Sequence, residues 1–313
     1  MSATATVRVA ERTAPAVDSD RGHRIRLRLL YLLAIATNLA IFIYGFDYYK
    51  LAAMDRPFSP KHHMLRPSGP IGLYLGFMGV ALFIGIFLYP IRKHWAWLGQ
   101  IGKTRHWLDI HVLMGLTAPF IIAFHSTLKF RGIAGMAFWI MFAVSASGVV
   151  GRYLYAQIPR RVTTVELSMK ELQELQEGLS QELASQRVLP DADLRALLKM
   201  PNAQQVARLP IPIALVYMII LDVIRKFGVA RLRRNASGES FRTFFGFVPS
   251  QHRELEKAIH AAAEEAALSK RLLFLSRSQK VFHLWHVIHK PFSYAFAVLA
   301  LIHIGLQFFL GYF

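Results

Sequence analysis

The chain of 313 residues contains no cysteine. It can therefore form no disulfide, hold no thiolate-ligated iron–sulfur cluster and carry no covalently attached c-type haem, so any such centre must belong to a partner. Acidic residues are scarce as well, with 19 Asp and Glu against 37 Lys and Arg and a formal net charge of +18. An excess of that size suits nucleic acid. In a chain that is 54% hydrophobic, with its apolar residues gathered in long blocks, it is instead the ordinary signature of orientation in a membrane, and no nucleic-acid partner is expected.

Five apolar segments approach or exceed the ~20 residues needed to cross the hydrocarbon core: Leu27 to Phe46, Pro70 to Tyr89, Leu108 to Leu128, Ile133 to Tyr155, and Pro291 to Phe313. The expected fold class is all-α, an integral membrane helical bundle of about five spans with a cytoplasmic helical insert. Residues 1–20 read as a disordered leader, 21–156 as spans one to four, 157–284 as the insert and 285–313 as the last span. The first apolar segment is long and lacks a small-residue cleavage pattern, so no cleavable signal peptide is expected.

Arg21, Arg24, Arg26 and Arg28 precede the first span and put the N-terminus in the cytoplasm by the positive-inside rule, with a bacterial inner (plasma) membrane as the expected location. Arg92, Lys93, Lys103 and Arg105, then Arg152, Arg160 and Arg161, fall on the same side. Lys50, Arg56, Lys61 and Arg66 run against the rule. Leu209 to Ile224 is apolar over sixteen residues and broken by Pro210 and Pro212. Were it a span, the basic residues that follow would lie outside, so 209–224 reads as an interfacial or re-entrant helix, and the last span runs parallel to the third.

Within the insert, Thr163 with Glu166 reads as a capping box, followed by an apolar stripe at Leu167, Leu172, Leu175, Leu179 and Leu183. A second helix is expected from about Gln251 to Leu275, acidic early and basic late as the helix dipole favours. Membrane lipid is one expected partner. The basic cluster Arg231, Arg233 and Arg234 makes the insert the expected docking platform for a redox subunit.

The chemistry is carried by histidines. His111 and His125 are separated by thirteen residues in the third span, and His289 and His303 by the same number at the last. Fourteen steps climb roughly 21 Å and leave the two side chains about 40° apart on one helix face. Two such helices in parallel bring His111 to His289 near the cytoplasmic side and His125 to His303 near the outer side. Two imidazoles per site is the axial ligation of a six-coordinate b-type haem, which leaves no open position on the iron. Zinc sites usually recruit carboxylates or thiolates, and the one acid near these ligands, Asp109, reads as a solvated group at the membrane boundary. His286 and His283 compete for the inner position, displaced from His303 by about 100° and about 160°.

In these four histidines and the spans around them the chain resembles the di-haem membrane cytochromes b, both the cytochrome b subunits of bc-type complexes and the ferric-reductase-like transmembrane family. The resemblance implies two non-covalent b-type haems stacked across the bundle, with His111, His125, His289 and His303 as iron ligands. It implies an electron-transfer subunit of an oxidoreductase complex, linking partner subunits that carry flavin, iron–sulfur or c-type haem centres, or quinone. The Pro-Glu-Trp-Tyr motif of quinol oxidation is absent, and no flavin or nicotinamide domain is expected after the last span. The rival readings are a quinone-reactive membrane anchor of a dehydrogenase or reductase complex, and a haem-free metal-binding or assembly subunit. Gly115, Gly76, Gly79, Gly135 and Gly148 suit either a macrocycle close to the backbone or close helix packing, packing being the commoner cause. His62, His63, His94, His106, His252 and His260 read as solvated.

Overall fold

The computed structural model describes residues 21–158, 197–201, 203–237 and 253–311, with positions 177, 178, 181 and 249. Among these residues the regular elements are all helical. Five helices are long and apolar enough to cross a membrane: α1 (Arg21–Tyr49), α3 (Pro70–Ile91), α5 (Thr104–His125), α6 (Gly132–Gln157) and α9 (Arg253–Phe309). Shorter pieces lie between them: a 3-10 turn at Arg56–Phe58, α2 (His62–Leu65), α4 (Ala96–Gly99), α7 (Ala203–Arg208) and α8 (Ile211–Ser237). The long helices turn large apolar side chains outward, Leu29, Leu32, Leu33, Ile35 and Ile43 on α1 alone. A contiguous surface of that kind is disfavoured in water and ordinary in lipid.

One expectation needs correction. The helix expected to end near Leu275 does not end there: α9 runs for 57 residues through Pro291 into the last apolar segment. Proline removes one backbone donor, but a helix with no other breaker continues past it, as α5 also does at Pro119. The apolar stretch expected as an interfacial or re-entrant segment near 209–224 falls, from residue 211 onward, in α8, a 27-residue helix that is not among those apolar enough to span. The capping box at Thr163 and the leucine stripe that follows lie outside the described residues.

The chain divides into two compact units. The first comprises the residues up to Val150 together with those from Ile288 onward. α5 is its central member: α3 and α1 pack along it, with Tyr48, Tyr49, Leu75, Ile121 and Phe124 forming one buried cluster. Each end of α5 is tied by a buried arginine. At its start Arg92 donates to Thr104 Oγ1 at 2.9 Å and to the Gly99 and Gly102 carbonyls at 2.7 and 2.9 Å. Beyond its end Arg56, 7% exposed, donates to the carbonyls of Tyr49 at 3.0 Å, Leu51 at 3.1 Å and Thr127. Thr127 and Leu128 sit at φ 51° and 58°, the left-handed region that costs a residue with a Cβ, so Arg56 holds a turn that would otherwise relax.

Arg56→Ala is expected to lower the stability of this unit by about 2–4 kcal/mol, because buried carbonyls left without donors cost about 1–3 kcal/mol each. Thermal unfolding in detergent, with the exposed Arg66→Ala as reference, reads the difference. Equal midpoints would contradict the clamp.

The second unit spans Gly151 to Val287. Leu197, Leu232, Leu255, Ala258, Ile259 and Ala262 form one core, and Val206, Ala214, Met218 and Phe274 another, so α8 packs one side against α7 and the first part of α9. Between these cores lies a polar cluster. Lys270, 2% exposed, donates to Asp222 Oδ1, and the Tyr153 hydroxyl donates to Asp222 Oδ2 at 2.7 Å. Burial pulls the neighbouring Arg225 guanidinium below its ordinary value, with Asp222 opposing the shift. Arg233 is also inside, paired through Nε and Nη2 with both carboxylate oxygens of Glu256 at 2.8 and 2.9 Å. Its expected place on a docking surface is thereby corrected: only Arg231 and Arg234 of that cluster are exposed.

Candidate functional site

α5 presents His111 and His125 from one face, each half-buried, and α9 carries His289 and His303 likewise. His303 lies within electrostatic range of His125. His125 Nδ1 is 2.8 Å from the Gly72 carbonyl on α3, and His111 Nδ1 is 3.0 Å from the Ile86 carbonyl one and a half turns before that helix ends. A carbonyl only accepts, so both rings must carry their proton on Nδ1. The lone pair then sits on Nε2. His289 Nδ1 is 2.8 Å from Ser147 Oγ on α6, and that hydroxyl donates to the Val144 carbonyl at 2.8 Å. Its oxygen is left to accept from the ring, which gives His289 the same tautomer. Fixing Nδ1–H on a backbone or hydroxyl acceptor is how proteins orient an imidazole whose Nε2 ligates a metal.

Between the two levels the bundle is closed by apolar side chains. Ala118 lies halfway between His111 and His125, and Phe296 halfway between His289 and His303. Both belong to one cluster with Phe138, Met141 and Leu82, and Phe296 meets Phe83 edge-on at 5.8 Å. Each histidine level is thus backed by a dry layer.

The glycines separate into two kinds. A Cβ at Gly76 would stand 2.9 Å from Cε1 and 3.1 Å from Nδ1 of His125, so the ring lies where only glycine admits it. At Gly115, one turn above His111, and at Gly148, beside Ser147, an added Cβ meets nothing within 4 Å. Close helix packing therefore does not explain these two, while Ser145 Oγ, donating to the Gly115 carbonyl at 2.7 Å, ties α6 to α5 there. Open space at the backbone beside oriented imidazoles suits a flat macrocycle. The donor set fits it too: among the described residues no three His, Asp or Glu form a group able to hold a metal ion, whereas a haem iron needs only two imidazoles from the protein.

Gly76→Ala is expected to weaken binding of a metal group that His125 would ligate about tenfold or more, the usual cost of disturbing a ligand's orienting partner. Gly79→Ala meets only the movable Cδ1 of Ile122 and is the matched control. Haem content titrated for the two variants checks this, and equal retention would mean the ring tolerates the methyl group.

The remaining histidines divide differently from expectation. Asp109 is not a solvated boundary group: it is 6% exposed, and its Oδ2 lies 3.2 Å from Nε2 of the equally buried His23 on α1. His106, expected at the surface, stacks on His23 with centroids 3.6 Å apart. His62 is half-buried with Nδ1 3.1 Å from the hydroxyl of the buried Tyr48, whereas His63 and His94 are exposed, as is His260 beside Glu264. For the inner position, His283 is exposed and His286 sits against Phe282 and Trp285, which leaves His289 as the one tied by Nδ1 to a hydroxyl. His252 lies outside the described residues. These contacts join positions as far apart as 142 residues, and neither periodicity nor local composition signals them. Compared with family models, curated proteins and solved structures, the chain finds no match.

Proposed function

We propose that this chain is a di-haem b-type cytochrome subunit, carrying electrons across a membrane between partner redox proteins or quinone. The observation that carries the reading is the orientation of His111, His125 and His289, each held through Nδ1 so that Nε2 carries the lone pair, with His303 beside His125. Bound haem would supply a centre that takes up and gives back one electron without binding substrate on the iron. The chain's own residues do the rest. His125 and His303 would hold the outer group, and His111 and His289 the inner one. Gly72, Ile86 and Ser147 keep the rings of His125, His111 and His289 from rotating away, and the layer around Ala118 and Phe296 would keep water from the space between the levels.

The proposed location is a bacterial inner membrane with the N-terminus in the cytoplasm. The outer-loop charges that opposed this assignment are partly accounted for. Arg56 serves as a buried clamp and Lys61 pairs with Asp47 at 2.7 Å, which gives each a structural reason to stand in that loop although the rule still counts both. Electrons would pass to and from partner subunits carrying flavin, iron–sulfur or c-type haem centres. A dithionite-reduced-minus-oxidised spectrum of membranes expressing the chain should show the sharp α-band of low-spin b haem. A spectrum without it would favour a haem-free assembly or transport subunit.

A further inference from the structure

On α8 the buried side described above leaves the opposite side bare. Ile213, Val216, Ile220, Val223, Ile224 and Phe227 are all exposed, each at 45–60%. On a helix they fall within an arc of roughly 100° and along roughly 21 Å of axis. The exposed charges of this helix, Lys226, Arg231 and Arg234, are all basic and lie beside that stripe or just past its end. Its one acid, Asp222, is turned to the other side and held by Lys270 and Tyr153.

We infer that α8 lies flat in the headgroup region of an anionic bilayer, its apolar stripe buried among the upper acyl chains and Lys226, Arg231 and Arg234 on lipid phosphates. Large apolar side chains in a contiguous stripe are costly in water. A single-sign basic margin complements anionic headgroups, each nearby Lys or Arg adding attraction within a Debye length. A bilayer is at hand, because the same chain carries five helices of spanning length and apolarity. Crossing that bilayer does not fit α8. The stripe is shorter than the ~30 Å hydrocarbon core, and Asp222 and Arg225 lie halfway along it on the other side. The inference is independent of haem and would survive its absence.

The lack of cysteine makes the test clean. Val216→Cys, Ile220→Cys, Val223→Cys and Phe227→Cys, each alone in the full chain, are labelled with a nitroxide in nanodiscs containing one-third phosphatidylglycerol. Collision with oxygen should exceed collision with a nickel chelate at all four, at one shared shallow depth of about 5–10 Å below the phosphates. In the Ile220→Cys background, Arg231→Glu with Arg234→Glu should make the label shallower in these discs and change nothing in pure phosphatidylcholine. Preference for the nickel chelate would put the stripe in water, and exclusion of both reagents would put it against protein, a second copy of the chain included. Depth increasing steadily from Val216 to Phe227 would make α8 a span. Each of these three overturns the inference, and an unchanged depth in the charge-reversed variant removes the anionic lipid from it.

Discussion

His125→Ala is expected to halve the haem content of the purified protein, from two per chain to one, and His303→Ala to remove the same haem. The reason is the proposed sharing of one haem by these two rings, His303 lying within electrostatic range of His125, and of the other by His111 and His289. A haem iron that loses one of two imidazoles becomes five-coordinate or dissociates, while the other level keeps both of its ligands. Potentiometric titration should therefore show one wave abolished and one retained, and the double variant should look like either single one. His111→Ala and His289→Ala should remove the other wave. Loss of different waves from His125→Ala and His303→Ala would show that each pair lies along one helix, not across two.

The second large effect falls on the Asp222 cluster and needs no cofactor. Asp222→Ala leaves the Lys270 ammonium, 2% exposed, without its carboxylate and in the company of Arg225. Removing one partner of a buried ion pair costs about 3–5 kcal/mol, because the surviving charge is stranded away from water. Amide exchange in α8 and in α9 before Val287 should accelerate by about two to three decades, at about 1.4 kcal/mol per decade. Adding Lys270→Met should restore much of the loss, since the stranded charge is then gone. Exchange in α5 and α3 serves as the internal reference. Equal exchange in the parent and Asp222→Ala would mean the pair contributes nothing.

The all-α bundle and its five apolar helices were legible because each segment is uniformly apolar over a bilayer's thickness, a signal that survives without any tertiary information. Its edges were less so. Hydropathy reads contact with lipid, not helicity, so the Arg-rich turn from Arg21 to Arg26 belongs to α1 although it is polar. The same confusion split α9 in two: composition changes along it from charged to apolar, while the backbone needs only the absence of breakers to continue.

At the candidate site the fourteen-residue spacing exposed His111, His125, His289 and His303, since periodicity places residues on a face. What orients the rings was not legible. Gly72 and Ile86 act through carbonyls, which every residue has, and Ser147 is one of two serines in α6. Gly76 was read with the packing glycines because sequence cannot say which neighbour fills the missing Cβ. Asp109, Arg56 and Arg92 look like boundary charges in a linear reading. Burial by α1, by the turn at Thr127 and by the loop before Thr104 gives them structural roles that follow only from the assembled helices.

The central claim is that four imidazoles, three of them oriented through Nδ1, bind two haems. Pyridine haemochrome quantitation of the protein purified from haem-replete cells addresses it directly, because it counts protohaem per polypeptide whatever the redox partners are. The account predicts a value approaching two, all of it extractable into acidified acetone since no cysteine can tether a porphyrin. A value near zero, or one fixed at a single haem per chain, would contradict it.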